Sequence, residues 1–195
     1  MTRHGEVYDI GVIHGRFQVL HHDHVKYLLA AVERCRHLVV GITNAEPAMV
    51  QDEAADPQRS TPLANPLTYY ERYQLVRSAL VESGVALLDF SIVPLPISQP
   101  ERYRHYVPLD AVFFLSIYDD WGRQKKQYFE TLGLKTCVLR EVTPDQKGIS
   151  STTIRQCMLN GEPWRHLVPK SVAALLEEWD ISQRLRDMAT GGKSA

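Results

Sequence analysis

The chain has 195 residues, a formal net charge of -1 and 23% charged residues. Its length is sufficient for one domain with a complete core, and its charge excludes the broadly basic surface typical of nucleic-acid-binding proteins. Three cysteines without Cys-x-x-Cys spacing argue against a disulfide framework or a thiolate zinc site, and no apolar run approaches the roughly 18 residues of a membrane span. We therefore expect a cytoplasmic protein without nucleic-acid or membrane partners.

Short apolar runs alternate with segments of helical periodicity. In chain order, the pattern predicts a strand at 7–13, a helix at 25–35, a strand at 38–43, a helix at 69–83, strands at 90–95 and 111–115, a helix at 120–132 and a strand at 136–139. The order β-α-β-α-β-α-β-α-β indicates an α/β fold. It predicts a Rossmann-like, doubly wound, parallel five-stranded sheet with helices on both faces.

The connection at 44–66 is polar, contains prolines and is too long for a simple turn. Such a length is typical of a functional loop or lid. The next helix has a clear start, because Thr68 and Glu71 form the Thr-x-x-Glu pattern of a capping box.

The strongest chemical signal lies between the first strand and the first helix, at residues 15–24, Gly-Arg-Phe-Gln-Val-Leu-His-His-Asp-His. The first N–H groups of a helix are unpaired, so a strand, a turn and a helix start form an anion site. Arg16, His21 and His24 add groups that neutralise a polyphosphate, and the two histidines share one helix face. This combination favours a nucleotidyltransferase.

A second helix start follows at residues 149–155, Ile-Ser-Ser-Thr-Thr-Ile-Arg, directly after Asp-Gln-Lys-Gly at 145–148. Ser150 or Ser151 is a natural N-cap. The hydroxyl groups, the free N–H groups and Arg155 would cluster in the first helical turn. The segment therefore predicts a second anion site.

Simpler interpretations exist for the histidines. A His-x-x-His pair can be two surface residues, and His14, His21 and His24 together could form a zinc site. The position between a strand end and a helix start favours phosphate instead. His22 is predicted to be an exposed neighbour, and Asp23 is a good N-cap candidate that would place negative charge near the phosphates.

Four motifs together carry a family resemblance. Residues 15–24 match G-R-F-Q-P-F-H-x-G-H, 65–72 resemble N-P-F-T-x-x-E-R, 149–155 match I-S-x-T-x-x-R, and 161–169 resemble G-x-x-W-R-x-L-V-P. The chain resembles the H-x-G-H nucleotidyltransferases of the cytidylyltransferase-like superfamily from about residue 8 to 188. Within that superfamily it is most similar to the archaeal-type nicotinamide mononucleotide adenylyltransferases.

The resemblance implies transfer of AMP from ATP to the 5′-phosphate of nicotinamide or nicotinate mononucleotide, in NAD biosynthesis, with release of pyrophosphate. Catalysis would consist of positioning two anions and stabilising charge, with Mg²⁺ bridging phosphate oxygens and no dedicated metal ligands from the protein. The implied catalytic residues are Arg16, His21, His24 and Arg155. The implied nucleotide-binding residues are Gly15, Phe17, Gln18, Ser150, Ser151, Thr152 and Thr153.

Within this set, the resemblance implies distinct tasks. Gly15 would let the backbone approach the nucleotide closely, and Arg16 and Gln18 would orient a phosphate or a ribose. The turn at 150–153 would hold the leaving pyrophosphate.

The chain departs from the family pattern mainly on the acceptor side. The usual Gly-Asn pair after the fourth strand is absent at 116–121, and Ala64 stands where a basic residue usually precedes Asn-Pro. The candidate acceptor residues are Asn65, Arg72, Tyr103, Tyr106, Trp121 and, as the replacement for that basic residue, Arg59. For Arg72 the alternative is pairing with Glu71 or Glu82 on a solvated helix face.

These departures leave other functions open. One is a nucleotidyltransferase of the same fold that acts on another phosphorylated acceptor, such as phosphopantetheine or a sugar or polyol phosphate. The other is a nucleotide-binding regulator without turnover. The choice between ATP and CTP is also open.

We expect a single nucleotidyltransferase domain over residues 1–195, with the Rossmann-like core at 6–160 and C-terminal helices at 161–189. The segment 168–188 is predicted to pack beside the nucleotide site or to form a homo-oligomer contact. Residues 190–195 are expected to be a frayed, disordered tail.

Overall fold

The computed structural model describes residues 7–46, 61–143 and 148–191. A parallel sheet of five strands forms its centre, in the order β3-β2-β1-β4-β5. The strands are β1 (Tyr8–Gly15), β2 (Cys35–Thr43), β3 (Phe90–Leu95), β4 (Val112–Ile117) and β5 (Lys135–Glu141). The order reverses between β1 and β4, which is where ligands bind in such sheets, beyond the carboxyl ends of the strands.

Helices cover both faces of the sheet, so the predicted fold class is confirmed. The α-helices are α1 (His22–Val32), α2 (Tyr69–Glu82), α3 (Asp120–Thr131), α4 (Ser151–Asn160), α5 (Lys170–Glu178) and α6 (Ile181–Gly191). One core lies under α1, α2, α4, α5 and α6 and includes Ile13, Leu28, Val40, Leu75 and Phe114. The other lies under α3 and includes Val12, Val39, Leu95, Phe113 and Phe129. No helix in the described ranges combines the length and apolarity needed to cross a bilayer.

The connection between β3 and β4 differs from the predicted alternation. It contains a short 3₁₀ helix, Pro100–His105, where the order of elements implied an α-helix. Pro96, Pro100 and Pro108 lie in this connection. Each removes a backbone donor and restricts φ, which prevents a continuous α-helix.

The predicted capping box of α2 is present. The Thr68 hydroxyl accepts from the Glu71 N–H at 3.2 Å, and the Glu71 carboxylate accepts from the Thr68 N–H at 2.8 Å. Glu71 also pairs with Arg184 of α6, with N–O distances of 2.7 and 2.9 Å. The start of α2 is therefore joined to the C-terminal helices.

The alternative prediction for Arg72, pairing with Glu71 or Glu82 on a solvated helix face, is wrong. Its side chain is 1% exposed, so it is not on a solvated helix face, and its partners are neither Glu71 nor Glu82. The guanidinium donates to the carbonyls of Thr43 at 2.7 Å, Asn44 at 2.8 Å and Arg16 at 3.1 Å. Burial lowers the pKa of Arg72 to about 10, so the side chain stays charged at neutral pH. Arg72 thus binds the chain where β1 and β2 end.

We expect Arg72→Met to lower the free energy of unfolding by about 3 kcal/mol, because it leaves several buried carbonyl groups without a donor. Urea unfolding measures this loss. Arg77→Met is the matched control, since it removes a charge from an exposed position of the same helix. Equal stability of the two variants would contradict the role given to Arg72.

Candidate active site

Two adjoining cavities lie at the carboxyl ends of β1 and β4. The large cavity has a volume of about 1040 Å³ and is lined by parts of both predicted anion motifs. The small cavity has a volume of about 490 Å³ and extends towards α3. They share a wall formed by residues 14–17, His24, Trp121, Lys125 and Ser151. Two ligands bound in these cavities would therefore meet at this wall.

His21 begins α1 and supplies one side of the large cavity. It is the N-cap, and its Nδ1 accepts from the His24 N–H at 3.4 Å. The prediction that Asp23 caps this helix is therefore wrong. The rings of His21 and His24 stack with their centroids 3.8 Å apart, and His22 is exposed, as predicted.

Both stacked histidines are neutral at pH 7. Burial lowers the pKa of His21 to about 4, and Asp23 opposes this shift only in part. Burial and the neighbouring His21 lower the pKa of His24 well below its usual value. Each ring can therefore donate one N–H to a phosphate oxygen, and a bound anion would raise both pKa values.

The depressed pKa of His21 predicts acid sensitivity. Between pH 6.5 and 4 the unfolded chain binds a proton at His21 that the folded protein does not. The free energy of unfolding therefore falls as the pH is lowered, by up to about 1.4 kcal/mol per pH unit for one such group. We expect His21→Asn, which keeps a good N-cap, to make this fall shallower.

Urea unfolding at several pH values tests that expectation. The exposed His22→Asn variant is the control and should keep the wild-type slope. An unchanged slope in His21→Asn would contradict a depressed pKa at His21.

The second motif forms the opposite side of the large cavity. Ser150 is the N-cap of α4, and its hydroxyl accepts from the Thr153 N–H at 3.1 Å. The Thr153 hydroxyl bonds that of Ser150 at 2.9 Å, and Thr153 lines neither cavity. Thr153 therefore supports the cap instead of facing the cavities.

Hydrogen bonds join the two motifs directly. The Ser151 hydroxyl donates to the Val19 carbonyl at 2.7 Å, and Arg155 donates to the Gln18 carbonyl and to the Thr152 hydroxyl. Burial, with the nearby charge of Arg16, lowers the pKa of Arg155 to about 10, so it remains a cation. Ser150, Ser151, Thr152 and Arg155 line the same cavity as His21 and His24.

Asp23 forms a further link between the motifs. Its carboxylate accepts from the Ile149 N–H at 2.7 Å and pairs with Lys26 at 2.7 Å. Burial raises the pKa of Asp23, but these two hydrogen bonds and the charges of Lys26 and His21 together bring it below its usual value. The negative charge of Asp23, which the sequence placed near the phosphates, therefore holds the start of the second motif in position.

Gly148 provides a test of this link. It has φ of +81°, and a Cβ atom there would lie 2.3 Å from the Asp23 carboxylate. We expect Gly148→Ala to raise the KM for the nucleoside triphosphate, because the chain before α4 must move. Gly133→Ala is the matched control, since Gly133 has φ of +76° but open space around it. Equal steady-state kinetics in the two variants would contradict the link.

Three residues of the first motif have other contacts than predicted. The Gln18 amide bonds the N–H and the carbonyl of Leu67, both at 2.9 Å, so it holds the chain before α2, and Gln18 also lines the small cavity. A Cβ at Gly15 would meet the Phe17 ring at 2.9 Å, so this glycine makes room for Phe17. Phe17 is buried and packs edge-on against His24, at 5.1 Å between centroids.

Most predicted acceptor residues do not line either cavity. Tyr103 is 1% exposed, packs on Phe113 and Phe129 and donates its hydroxyl to the Ile97 carbonyl at 2.6 Å. Tyr106 packs against the same core, and the Asn65 amide donates to the Thr61 carbonyl. The inward packing of the 3₁₀ helix explains the burial of Tyr103.

Of the remaining acceptor candidates, only Trp121 is seen to line a cavity among the described residues. Arg72 is buried behind the wall of the small cavity and lines neither cavity, and Arg59 lies outside the described residues. Trp121 lines both cavities and is 47% exposed, with the Lys125 Nζ 4.8 Å from its ring centroid.

Lys125 of the shared wall was not predicted, and His14 was considered only as a possible zinc ligand. The available signal was the spacing of Trp121, Lys125 and Phe129, which places them on one face of α3. The zinc alternative finds no support in the described ranges, where no three His, Cys, Asp or Glu side chains are grouped to hold a metal.

Comparison with known proteins agrees with this geometry. The family model described as cytidylyltransferase-like matches residues 12–157. A phosphonoformate cytidylyltransferase of Streptomyces viridochromogenes is 50% identical over 176 residues, which are 90% of this chain and 95% of that protein. A nicotinamide-nucleotide adenylyltransferase of Pyrococcus furiosus is 32% identical over 95% of this chain and 92% of its own length.

A solved structure also shares the fold. It is the bifunctional NMN adenylyltransferase/ADP ribose pyrophosphatase of Francisella tularensis, with a TM-score of 0.64 and 20% identity over 92% of this chain. The present chain spans 53% of that longer protein. The motifs, the family match and the identity to the Streptomyces protein together lead to one conclusion: the chain belongs to the cytidylyltransferase-like family and is a nucleotidyltransferase.

Proposed function

We propose that this enzyme transfers CMP from CTP to a phosphonate oxygen of a small acid such as phosphonoformate. The observation that carries the proposal is the 50% identity to a phosphonoformate cytidylyltransferase along 90% of the chain. Identity to the nicotinamide-nucleotide adenylyltransferases is lower, between 30% and 32%. The acceptor therefore differs from the mononucleotide that the motifs suggested.

The triphosphate would occupy the large cavity. The N-termini of α1 and α4 both lie at this cavity, and each contributes unpaired N–H groups and a partial positive charge. Arg155 adds a full charge, and the neutral His21 and His24 add N–H donors. This arrangement supports binding of a polyphosphate without any covalent bond to the protein.

The reaction needs little acid–base chemistry. An ionised phosphonate oxygen of the acceptor attacks the α-phosphorus and forms a new P–O bond. The bond from the α-phosphorus to the oxygen shared with the β-phosphate breaks, and pyrophosphate leaves with the electron pair. The protein must align two anions that repel each other and stabilise the charge that develops.

Members of this enzyme class usually use Mg²⁺, and the described part of the large cavity offers few ligands for it. Asp23 and Asp119 line the large cavity, but each accepts a backbone N–H, from Ile149 and Gly122 respectively. These residues do not form a metal site of the protein's own. A Mg²⁺ ion would arrive bound to the triphosphate, as part of the substrate.

The small cavity would receive the acceptor. Its described lining residues include the cations Arg16 and Lys125 and no carboxylate. Of the three aromatic acceptor candidates, Tyr103 and Tyr106 do not line it, and Trp121 does. The two cations and the absence of a carboxylate among the described lining residues suit a small dianion.

Pyrophosphate release with a panel of substrates tests the proposal. The panel pairs CTP or ATP with phosphonoformate, nicotinamide mononucleotide, nicotinate mononucleotide and a sugar phosphate. We expect the highest kcat/KM with CTP and phosphonoformate. No release with phosphonoformate and either triphosphate would overturn the proposal.

A second candidate is adenylyl transfer to nicotinamide mononucleotide. It is favoured by the four motifs and by 32% identity over 95% of the chain to the Pyrococcus protein. Release with ATP and this mononucleotide, but not with phosphonoformate, would identify it.

A further inference from the structure

His14 is a buried polar residue that neither phosphate motif includes. It is the penultimate residue of β1, directly before Gly15, and is 7% exposed. Neither of its ring nitrogens has a hydrogen-bond partner among the described residues, although it lines both cavities. Buried polar groups in proteins are almost always paired, so an unpaired imidazole at a cavity wall points to a missing partner.

The surroundings of His14 place it on the acceptor side. Its ring packs on Phe129 with the centroids 5.4 Å apart, and Phe129 lines only the small cavity. The Lys125 Nζ lies 6.0 Å from the centroid of the same Phe129 ring. His14 and Lys125 therefore contact one aromatic ring and contribute to one wall, although they come from β1 and α3.

The chemistry of the pair suits a carboxylate. Burial and the nearby charge of Lys125 hold the pKa of His14 well below its usual value, so the ring is neutral and offers one N–H. Lys125 supplies the positive charge. Arg16 and His24 also line the shared wall and would face the phosphonate beside the triphosphate.

We propose that His14 and Lys125 form a subsite for a second acidic group of the acceptor. The His14 N–H donates to an oxygen of that group, and Lys125 neutralises its charge. The subsite selects acceptors that carry a carboxylate next to the phosphonate over acceptors that carry the phosphonate alone. This inference rests on the proposed function, because it concerns the acceptor of the same reaction.

Kinetics with two acceptors test the subsite. Phosphonoformate and methylphosphonate share the phosphonate, but only the first has a carboxylate. We expect His14→Leu to lower kcat/KM for phosphonoformate by about 10- to 100-fold, mainly through KM, and to leave methylphosphonate within about twofold. His14→Gln, which keeps an N–H, should recover part of the loss. An equal effect of His14→Leu on both acceptors, or no effect on phosphonoformate, overturns the subsite.

Lys125→Met provides a second variant that leaves the buried imidazole in place. We expect it also to raise the KM for phosphonoformate. Lys126→Met is the matched control, because Lys126 pairs with Glu130 and lines neither cavity. Identical KM values for the two lysine variants would overturn the part given to Lys125.

A binding measurement separates this inference from the proposed function. In protein labelled with ¹⁵N-histidine, the ring signals of His14, assigned through His14→Gln, should shift with phosphonoformate and not with methylphosphonate. The same shift in an enzyme that does not turn over phosphonoformate would support the subsite and overturn the proposed function. Turnover without any shift would overturn the subsite and leave the function standing.

Discussion

Replacing His24 by alanine should lower kcat by about 10²- to 10³-fold, because a donor directed at transition-state charge is lost. His24 lies on the wall shared by the two cavities, and its Nδ1 has no partner among the described residues. Its ring is held by stacking on His21 and by the edge of Phe17. This is the point at which a triphosphate and an acceptor would meet. Steady-state pyrophosphate release with CTP and phosphonoformate measures the effect.

The exposed neighbour His22 supplies the control. His22→Ala should keep the wild-type kcat, and the thermal unfolding midpoint of His24→Ala should show that the variant is folded. Nearly full activity in His24→Ala would exclude its role in the transition state. A higher KM with unchanged kcat would assign His24 to substrate binding alone.

Arg155→Met should cause a loss of similar size, about 10²- to 10³-fold in kcat. Arg155 supplies charge to the large cavity and also joins the two motifs through the Gln18 carbonyl and the Thr152 hydroxyl. Its removal therefore takes away a cation and loosens the cavity wall. The kcat of Arg155→Lys should lie between those of the wild type and Arg155→Met, because lysine keeps the charge but cannot make both contacts in the same geometry.

A variant of a surface arginine is the control for the loss of one positive charge from the protein as a whole. Arg123 is exposed and pairs with Asp120 and Glu141, so Arg123→Met should leave kcat unchanged. Urea unfolding of Arg155→Met separates lost structure from lost catalysis. A folded Arg155→Met variant with wild-type kcat would refute the assignment of Arg155 to the triphosphate.

The regular elements were largely predictable. The five strands follow from short apolar runs, and the bounds of β3 agree with the prediction at 90–95. β1 extends beyond the predicted end at residue 13 because His14 and Gly15 pair with Gly41 and Ile42 of β2. α1 begins before the predicted residue 25 because His21, and not Asp23, is its cap. Both differences arise from contacts that apolar periodicity does not report.

Polar side chains with distant partners were not predictable. The Gln18 amide bonds the backbone of Leu67, and Arg72 bonds the carbonyls of Thr43 and Asn44. Both residues were assigned to ligands because a polar side chain beside a motif has no visible partner in a sequence. Buried backbone N–H and C=O groups must be hydrogen-bonded, and these two side chains provide the partners.

The sequence by itself determined the two candidate anion motifs, because each motif is a local feature. A strand or loop followed by a helix start brings N–H groups together with Arg16 and two histidines at 15–24, and with hydroxyls and Arg155 at 150–155. Tertiary structure alone decided which side chains come together at the wall between the two cavities. His14 and Lys125 meet at Phe129 only because the sheet places β1 beside β4 and α3 covers that face. Such contacts depend on burial across the whole core, and the spacing of residues along the chain does not encode them.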